Sequence, residues 1–327
     1  MKGNSLADAP ALFRSRFGGL WVDRGDALSV LARKVRDGDI SEGEAGPIRH
    51  YIAHGYAVFP GAVDAALVDE YLEFFEDAWD QPPAGIYAHS GGEVVPLSRK
   101  LHDRVAKVSD LHYYFPRASR IIYPAPVLRF LAQIYERPPV VFQSMSMRKG
   151  SEESLHIDTG PLTLTEPLGL AASWIALEDV KAGSGEFQFV PGSHALPEIL
   201  NNGVSKGHNG DMGAYYQVLQ STLRECEARG LKTEYFMAKK GDVLIWHADL
   251  MHGGAKIADP GLTRKSLICH FMPLGAMPTF YDFSKVGYLQ YPEGGWYLDR
   301  IRPEALWQRR EPRSLLQRVL GHATANR

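Results

Sequence analysis

Two short motifs carry the residue types of a metal centre. The first, LHIDTG at 155–160, contains His156 and Asp158, and the second, LMHGG at 250–254, contains His252. Side chains two residues apart in an extended chain point to the same side, so His156 and Asp158 can bind one ion together. With His252 they make two imidazoles and one carboxylate, which is the ligand set of non-haem Fe(II) oxygenases.

An arginine follows the second motif at a distance that suits a co-substrate site. Arg264 lies twelve residues after His252, at the start of an apolar segment. Two imidazoles and one carboxylate leave three positions open on the ion, enough for a bidentate 2-oxo acid and then O2. The planar guanidinium of Arg264 matches the far carboxylate of a dicarboxylic acid. Together these residues predict Fe(II), with 2-oxoglutarate as co-substrate.

Several ordered segments resemble those of the phytanoyl-CoA dioxygenase family. The resemblance extends from about Ile48 to Met272. Its segments are HGYAVFPGAV at 54–63, HIDTG at 156–160, SWIALEDVKAGSGEFQFVPGSH at 173–194, GDVLIWHADLMHGG at 241–254 and TRKS at 263–266. This family is a branch of the Fe(II)- and 2-oxoglutarate-dependent oxygenases. The resemblance therefore implies a mainly β fold with flanking helices and a double-stranded β-helix core, the cupin-like jelly-roll.

The same resemblance implies roles for individual residues. The implied iron ligands, which are also the catalytic residues, are His156, Asp158 and His252. Arg264 is expected to hold the distal carboxylate of 2-oxoglutarate. Trp174 and Gln143 match positions that often line the co-substrate pocket.

The chain departs from the family pattern at one position. Many relatives have a serine two residues after the second ligand histidine, where it helps to bind the co-substrate carboxylate, and this chain has Gly254. Thr263 or Ser266 is expected to take over that contact. Related halogenases replace the ligand carboxylate by a small residue so that chloride can bind, so Asp158 argues for hydroxylation or desaturation instead.

The reaction implied by the resemblance is hydroxylation of an unactivated C–H bond, with release of succinate and CO2. The expected substrate is a small or medium polar metabolite or a natural-product intermediate. Two alternatives stay open. A cupin-type metalloenzyme of another reaction class would keep the metal but show no response to 2-oxoglutarate. A non-catalytic jelly-roll that binds a ligand or a partner would be expected to lose a metal ligand or Arg264, and this sequence retains them.

Composition fits one enzyme domain and argues against several other classes of protein. A chain of 327 residues that is 45% hydrophobic can bury a sizeable core. The net charge is −2 with both signs mixed, so a nucleic-acid partner has no electrostatic support. The N-terminus lacks a continuous apolar segment, and no stretch nears eighteen apolar residues, so no membrane association is expected. Cys226 and Cys269 have no disulfide or zinc spacing, which predicts a cytoplasmic protein.

Helical patterns precede the strand patterns. We expect an N-terminal helical arm at 1–46, peripheral over 1–24, and a helical and loop region at 47–138 that packs on the core. Its helices are predicted at 26–54, in two parts with Ser41 and Glu44 as a capping box, from Asp64 onward with an apolar stripe, and at 126–136. The jelly-roll core is expected at 139–275 with an insertion at 195–240, and a C-terminal cover at 276–327.

The predicted core strands are separated by turns that contain glycine or proline. They are VVFQSMSMR, GLAASWIAL, EFQFV, GDVLIWHA and RKSLICHFM. Alternation places Gln143 on one face with Val141 and Met145, and Arg264 on one face with His270. Trp174 shares its face with Leu170, Ala172 and Ala176.

Three segments outside the core strands are candidates for covering the site. The 195–240 insertion is either a lid, with Tyr215 and Tyr216 as its contacts, or a surface excursion. The polar, glycine-containing segment 89–104 suits an entrance loop. The aromatic run at 279–298 could shape the substrate pocket, mediate a homodimer contact, or form a helix-and-loop cover. His194 and His247 are expected to be structural or to support a neighbouring ligand.

Overall fold

The computed structural model describes residues 13–201, 203, 211–279, 286–292 and 294–299. Its α-helices are α1 Ala27–Arg36, α2 Glu42–His54, α3 Ala65–Asp80, α4 Ala118–Ile122, α5 Ala125–Tyr135 and α6 Met212–Ala228. Its strands are β1 Tyr56–Phe59, β2 Tyr87–Ser90, β3 Glu93–Pro96, β4 Lys107–Ser109, β5 Pro139–Met147, β6 Ala171–Ala176, β7 Phe187–Phe189, β8 Glu234–Phe236, β9 Val243–His247, β10 His252–Gly254, β11 Ser266–Pro273, β12 Gly287–Gln290 and β13 Trp296–Asp299.

The strands form a large sheet and a small one. The large sheet has the order β1-β9-β6-β11-β5-β4-β2-β3, with β13 alongside the start of β5 and β12 paired to β13. Only the β13–β5 pairing is parallel among the pairs described. The small sheet has the order β10-β7-β8. The predicted double-stranded β-helix, or jelly-roll, is confirmed.

The two faces of the large sheet have different partners. Its outer face packs against the helices in a core that joins Phe75 of α3 and Leu131 of α5 to Cys269 of β11. Its inner face packs against the small sheet through a core that contains Trp174, Phe187 and Trp246. Side chains that alternate along one strand therefore belong to two different cores. The candidate site residues lie between this inner face and the small sheet.

The predicted helices are confirmed, and their first turns explain where they begin. The hydroxyl of Ser41 accepts from the backbone N–H of Glu44, whose carboxylate accepts from the N–H of Ser41, so the predicted capping box is present. Asp64 accepts from the N–H groups of Ala66 and Leu67 at the start of α3. Each of these caps pairs donors that the first turn of a helix leaves without partners.

The described part of the N-terminal segment is not peripheral, so the expectation for 1–24 is wrong over residues 13–24. Leu20, Trp21 and Val22 are buried, and the indole N–H of Trp21 donates to the carbonyl of Gln133, 2.9 Å away. No periodic pattern marks this segment because it packs as an irregular chain with a single 3-10 turn. Residues 1–12 lie outside the described residues.

A β-bulge changes one face assignment. Residue 270 pairs with 143, but residue 271 pairs with 141, so Phe142 is the extra residue in β5. As a result Val141 belongs to the outer core while Gln143 and Met145 face the cavity. The prediction that Gln143 shares its face with Met145 holds, and the prediction that it also shares it with Val141 is wrong.

The insertion and the C-terminal segment both add regular structure. The 195–240 insertion contains α6 and β8. The aromatic run forms β12 and β13, which add to the large sheet where a helix-and-loop cover was one expectation. The rest of the predicted cover, beyond residue 299, lies outside the described residues.

Both cysteines are buried and unbonded. Within the described ranges, no helix is long and apolar enough to cross a bilayer. The homodimer and the cytoplasmic location stay predictions.

Candidate active site

The structure brings the two predicted motifs together at one end of the small sheet. His156 and His252 form a reciprocal backbone bridge, with N–O distances of 2.8 and 3.0 Å. The backbone N–H of Asp158 donates to the carbonyl of Ala248 at 2.9 Å. Because these main-chain contacts fix both motifs, one potential ligand atom from each of the three side chains lies within 4.8 Å of the others.

Partners behind the three side chains set their orientation. The Nδ1 atoms of His156 and His252 donate to the carbonyls of Ser154 at 2.9 Å and Leu250 at 2.8 Å. A carbonyl only accepts, so the neutral form of each ring carries its proton on Nδ1 and leaves Nε2 free to bind a metal. These Nε2 atoms lie 3.8 and 3.6 Å from Oδ1 of Asp158. The three side chains therefore converge on one point with ligand atoms exposed to it.

The second oxygen of the carboxylate has its own donor. The indole N–H of Trp246 donates to Oδ2 of Asp158 at 2.8 Å, and both residues are buried. Burial, reinforced by the nearby charge of His156, lowers the pKa of His252 to about 3. His252 is therefore neutral at pH 7, as a metal ligand must be. Two imidazole nitrogens and one carboxylate oxygen on the same side of a metal position suit Fe(II), because the coordination positions on the other side stay open.

Arg264 is a buried cation without an anionic partner. Its side chain is 1% exposed, and its Nη1 donates to the carbonyl of Gly185 at 2.8 Å. Its guanidinium carbon lies 5.5 Å from the ring centre of Trp174. Its Nε has no hydrogen-bond partner, and no carboxylate of the described residues lies within ion-pair distance. A buried charge in this state is costly unless an anion joins it.

The protonation state of Arg264 survives this environment. Burial lowers the pKa of Arg264 to about 10, and the charge of Glu186 partly opposes the shift. The guanidinium is therefore still cationic at neutral pH. Its unpaired Nε and its missing counter-ion fit the distal carboxylate of 2-oxoglutarate, which the fork of a guanidinium binds well.

A cavity of about 420 Å³, which we call the central cavity, contains the three predicted metal ligands and Arg264. Its inner wall includes Gln143, Met145, Ile268, His270 and Trp246, of which His270 and Trp246 are buried, and its outer mouth includes His89, Ser90, Lys107 and Glu153. The β2–β3 turn is part of this mouth, where the sequence placed an entrance loop. The predicted metal ligands and the buried cation of Arg264 therefore lie in the same cavity.

The other residues expected at the co-substrate site lie outside the lining of the central cavity. Trp174 is fully buried behind Arg264 and contacts its guanidinium, but it does not reach the cavity. Thr263 is half-buried, and the hydroxyl of Ser266 is buried without a partner. Of the predicted co-substrate residues, Gln143 and Arg264 line the cavity. A co-substrate role stays a prediction for each of them, including Trp174 and Thr263.

The histidines expected to be structural or supporting lie away from the cavity. Nε2 of His247 donates to Asp23 at 2.9 Å, and its Nδ1 accepts from the N–H of Asp249 at 3.0 Å. Nε2 of His194 donates to the carbonyl of Ile52 at 3.3 Å. Among the histidines of the entrance region, His89 is the one that lines the central cavity.

Sequence reasoning did not single out several residues of the cavity as site residues. They are Trp246, Ser151, Lys107, Glu153 and His270. Alternation could have indicated His270, which lies six residues after Arg264 on the same predicted face. Trp246 stands in a motif that the sequence analysis quoted, yet only the fold shows its contact with Asp158. No pattern in the chain marks Ser151.

Solved structures share this fold at low sequence identity. The α-ketoglutarate-dependent carbocyclase SnoK from nogalamycin biosynthesis aligns with a TM-score of 0.55 and 19% identity, over 74% of this chain and 87% of that one. The epimerase SnoN from the same biosynthesis gives 0.54 and 19%, over 79% and 99%. EctD from S. alaskensis, with 2-oxoglutarate and 5-hydroxyectoine, gives 0.52 and 16%, over 84% and 86%. At these identities the likeness establishes the fold alone.

The sequence itself matches a family model. A search of curated proteins finds no match. The model of the family described as Phytanoyl-CoA dioxygenase (PhyH) matches residues 51–265, which is more than half of the chain and includes His156, Asp158, His252 and Arg264. Together with the converging ligands and the unpaired buried arginine, this match shows that the chain belongs to the phytanoyl-CoA dioxygenase family of iron- and 2-oxoglutarate-dependent oxygenases.

Proposed function

We propose that this protein hydroxylates an unactivated C–H bond of a small or medium polar molecule, a metabolite or a natural-product intermediate. The observation that carries the proposal is the buried, unpaired Arg264 in the same cavity as His156, Asp158 and His252. Bound Fe(II) and 2-oxoglutarate supply the oxidising chemistry, in which O2 is consumed and succinate and CO2 are released. The protein supplies binding, orientation and exclusion of water.

The residues divide this work between two ends of the cavity. His156, Asp158 and His252 hold the metal on one side only. Arg264 fixes the distal carboxylate, so that the 2-oxo acid end of the co-substrate points toward the metal. The inner wall keeps water away from the reacting atoms. Asp158 supports hydroxylation, because its carboxylate fills the position that a halide would need.

The mouth of the cavity supports a polar substrate. Lys107 Nζ and Glu153 Oε2 form an ion pair 2.5 Å apart beside the ligands. Burial would raise the pKa of Glu153, but the charges of His156 and Lys107 hold it below its usual value. His89 and Ser90 add further hydrogen-bonding groups at the outer mouth. A substrate with polar or charged groups can exchange contacts with this pair while its target carbon lies near the metal.

The fold also allows other outcomes at the target carbon. Structures of this fold include proteins described as a carbocyclase and an epimerase. Product mass separates the outcomes: hydroxylation adds one oxygen atom, desaturation or ring closure removes two hydrogens, and epimerisation leaves the mass unchanged. Asp158 is compatible with each of them, so the reaction outcome must be read from the product and not from succinate release.

The experiment that tests the proposal is an anaerobic titration of metal-free protein with Fe(II) and then 2-oxoglutarate. We expect the weak visible charge-transfer band of the chelate in the wild type. In Arg264→Ala the band should need much higher 2-oxoglutarate concentrations, because the distal carboxylate has lost its cation. Bound iron without a band in the wild type would instead favour a cupin-type metalloenzyme that does not use 2-oxoglutarate. Loss of iron binding in His156→Ala and His252→Ala is the matching control for the metal site.

A further inference from the structure

The segment before the first ligand histidine fills the space beside Gly254. A Cβ built on Gly254 would overlap Oγ of Ser151 and would lie 3.0 Å from the backbone nitrogen of Glu152. The backbone N–H of Gly254 donates to the carbonyl of Glu153 at 2.8 Å, which fixes the two segments together. The hydroxyl of Ser151 therefore occupies the place where a side chain at position 254 would begin.

The same segment lies against the surroundings of Arg264. The backbone N–H of Arg264 donates to the carbonyl of Arg148 at 3.0 Å. A Cβ on Gly150 would lie 2.7 Å from the carbonyl oxygen of Gly185, and that oxygen accepts from Nη1 of Arg264. Ser151, the next residue, lines the central cavity together with Arg264. The segment that carries Ser151 thus packs against the carbonyl that the guanidinium binds.

The hydroxyl of Ser151 is available as a donor. Its oxygen accepts a long hydrogen bond, 3.4 Å, from the N–H of Glu153. Its own O–H has no acceptor among the residues that the structure describes. A serine hydroxyl both accepts and donates, so this oxygen can keep its backbone contact while its proton points to a ligand.

The backbone around Ser151 is held in an unusual shape. Glu152 has a φ of +51°, in the left-handed region that residues with side chains seldom adopt. Its carboxylate accepts from the N–H of Ile257 at 3.1 Å, which ties the segment to the chain that follows β10. Strained backbone of this kind persists where the surrounding structure over-determines it, often at ligand sites.

We propose that Ser151 is a second anchor of the co-substrate: its hydroxyl donates to the distal carboxylate of 2-oxoglutarate beside Arg264. Two carboxylate oxygens offer more acceptor positions than the free nitrogens of one guanidinium fill, so a neighbouring hydroxyl donor completes the site. This inference rests on the proposed use of 2-oxoglutarate, and it assigns the contact to Ser151 where the sequence suggested Thr263 or Ser266.

The test measures binding and not turnover. Calorimetric titration of the Mn²⁺-loaded protein gives the Kd of 2-oxoglutarate and of 2-oxopentanoate, which has the same chain length but lacks the distal carboxylate. In Ser151→Ala we expect the Kd of 2-oxoglutarate to rise about tenfold or more, as for a lost hydrogen bond to a charged group. The Kd of 2-oxopentanoate should stay within about twofold on the same scale. Ser184→Ala removes a buried hydroxyl from a residue whose backbone lies against Gly150 and that does not line the cavity, and it should change neither value.

A hydroxyl transfer separates a binding role from a purely structural one. Gly254→Ser alone should disturb the segment, because its Cβ overlaps the hydroxyl of Ser151. Combined with Ser151→Ala, the new serine puts a hydroxyl back into the vacated space, and we expect the Kd of 2-oxoglutarate to recover to within a few fold of the wild-type value. Recovery supports the inference. A folded double variant without recovery would show that the loop, and not the hydroxyl, matters.

Failure of the inference differs visibly from failure of the proposed function. Wild-type protein that does not bind 2-oxoglutarate overturns both. Wild-type binding with an unchanged Kd in Ser151→Ala overturns the role of Ser151 alone. A raised Kd in Ser266→Ala instead would move the anchor to Ser266, and an equal loss for both ligands in Ser151→Ala would place its contact at the other end of the co-substrate.

Discussion

Each of the three predicted metal ligands is held by a partner that is not itself one of the three. The carbonyls of Ser154 and Leu250 orient the histidines, and the indole of Trp246 orients Asp158. Such partners fix the ring tautomer and the carboxylate rotation before the metal arrives. The atoms that would bind the metal are therefore held in place before it binds. Of the three supporting contacts, the one from Trp246 can be tested by mutation, because it is made by a side chain.

Trp246→Phe should weaken metal binding. The substitution keeps an aromatic ring against His252 but removes the N–H that lies 2.8 Å from Oδ2 of Asp158. We expect the Kd for Mn²⁺, used as a stand-in for Fe(II), to rise about 10- to 100-fold, the usual effect of removing such a supporting contact. Electron paramagnetic resonance of free Mn²⁺ measures this directly. Trp296→Phe, in the core away from the cavity, is the matched control, and an equal Kd for Trp246→Phe and wild type would contradict the role given to the indole.

The sequence allowed the predicted metal ligands to be identified, but not the residues that contact and orient them, and the reason is physical. Residues that bind a metal or a carboxylate must be of particular types, and their spacing along the chain is visible, so the grouping of His156, Asp158 and His252 could be predicted. Trp246 acts on Asp158 across a separation of 88 residues. Ser151 acts through its contact with Gly254. Such roles depend on tertiary contacts, which a single sequence does not display.

At the scale of elements, α6 is coupled to the loop that carries two of the ligands. The hydroxyl of Tyr215 donates to the carbonyl of Ile157 at 3.0 Å, between His156 and Asp158. A Cβ on Gly160 would overlap the ring of Tyr215, so glycine allows the helix to approach this closely. Tyr216 is 59% exposed and makes no such contact. The insertion therefore supports the ligand loop from outside, whether or not it also moves as a lid.

Tyr215→Phe should destabilise the protein without removing its ability to bind metal. The substitution leaves the carbonyl of Ile157 with only a long hydrogen bond, 3.4 Å, from the N–H of Gly160, and losing the stronger donor costs about 1 kcal/mol. Urea denaturation of metal-free protein measures the apparent free energy of unfolding. Tyr216→Phe changes an exposed ring at the neighbouring position and should stay within about 0.5 kcal/mol of wild type. Similar values for the two variants would show that α6 does not brace the ligand loop.

Elements with a strong periodic pattern were predictable, and interruptions of the pattern were not. The stripe in α3 and the alternation in β11 both place buried residues on the faces that the structure shows. The bulge at Phe142 is invisible in the sequence, because Val140, Val141 and Phe142 are all apolar and all buried. In that stretch two faces are equally hydrophobic, so alternation alone could not reveal where the register shifts.

At the scale of the whole molecule, the large sheet separates two kinds of interior. Its outer face joins the helices in an apolar core, and its inner face joins the small sheet around a cavity with charged and hydrogen-bonding groups. A separate buried polar cluster lies where the described N-terminal segment packs on β9. There Asp23 accepts from His247, and the ring centre of His194 lies 5.2 Å from that of His247. Histidines are thus buried in more than one place, with consequences for stability against pH.

Acidification should unfold the metal-free protein through groups such as His194. Burial lowers the pKa of His194 to about 3, although the carbonyl of Ile52 favours the protonated ring; the pKa is about 6.5 in the unfolded chain. Between these values the unfolded state binds the extra proton, so the free energy of unfolding is greatest above pH 6.5 and falls as the pH drops toward 3. One such histidine contributes a slope of up to about 1.4 kcal/mol per pH unit.

His194→Gln tests this account, because glutamine can still donate to the carbonyl of Ile52 but cannot titrate. Urea denaturation of the variant and the wild type between pH 4 and 8, without metal, should give parallel values above pH 7 and converging values below about pH 6. Asp249 and Arg14 also act on His194 and are the same in both proteins, so they do not produce the convergence. A difference that stays constant down to pH 4 would mean that His194 binds its proton over the same pH range in the folded and the unfolded protein, and the account of a neutral, buried imidazole would be wrong.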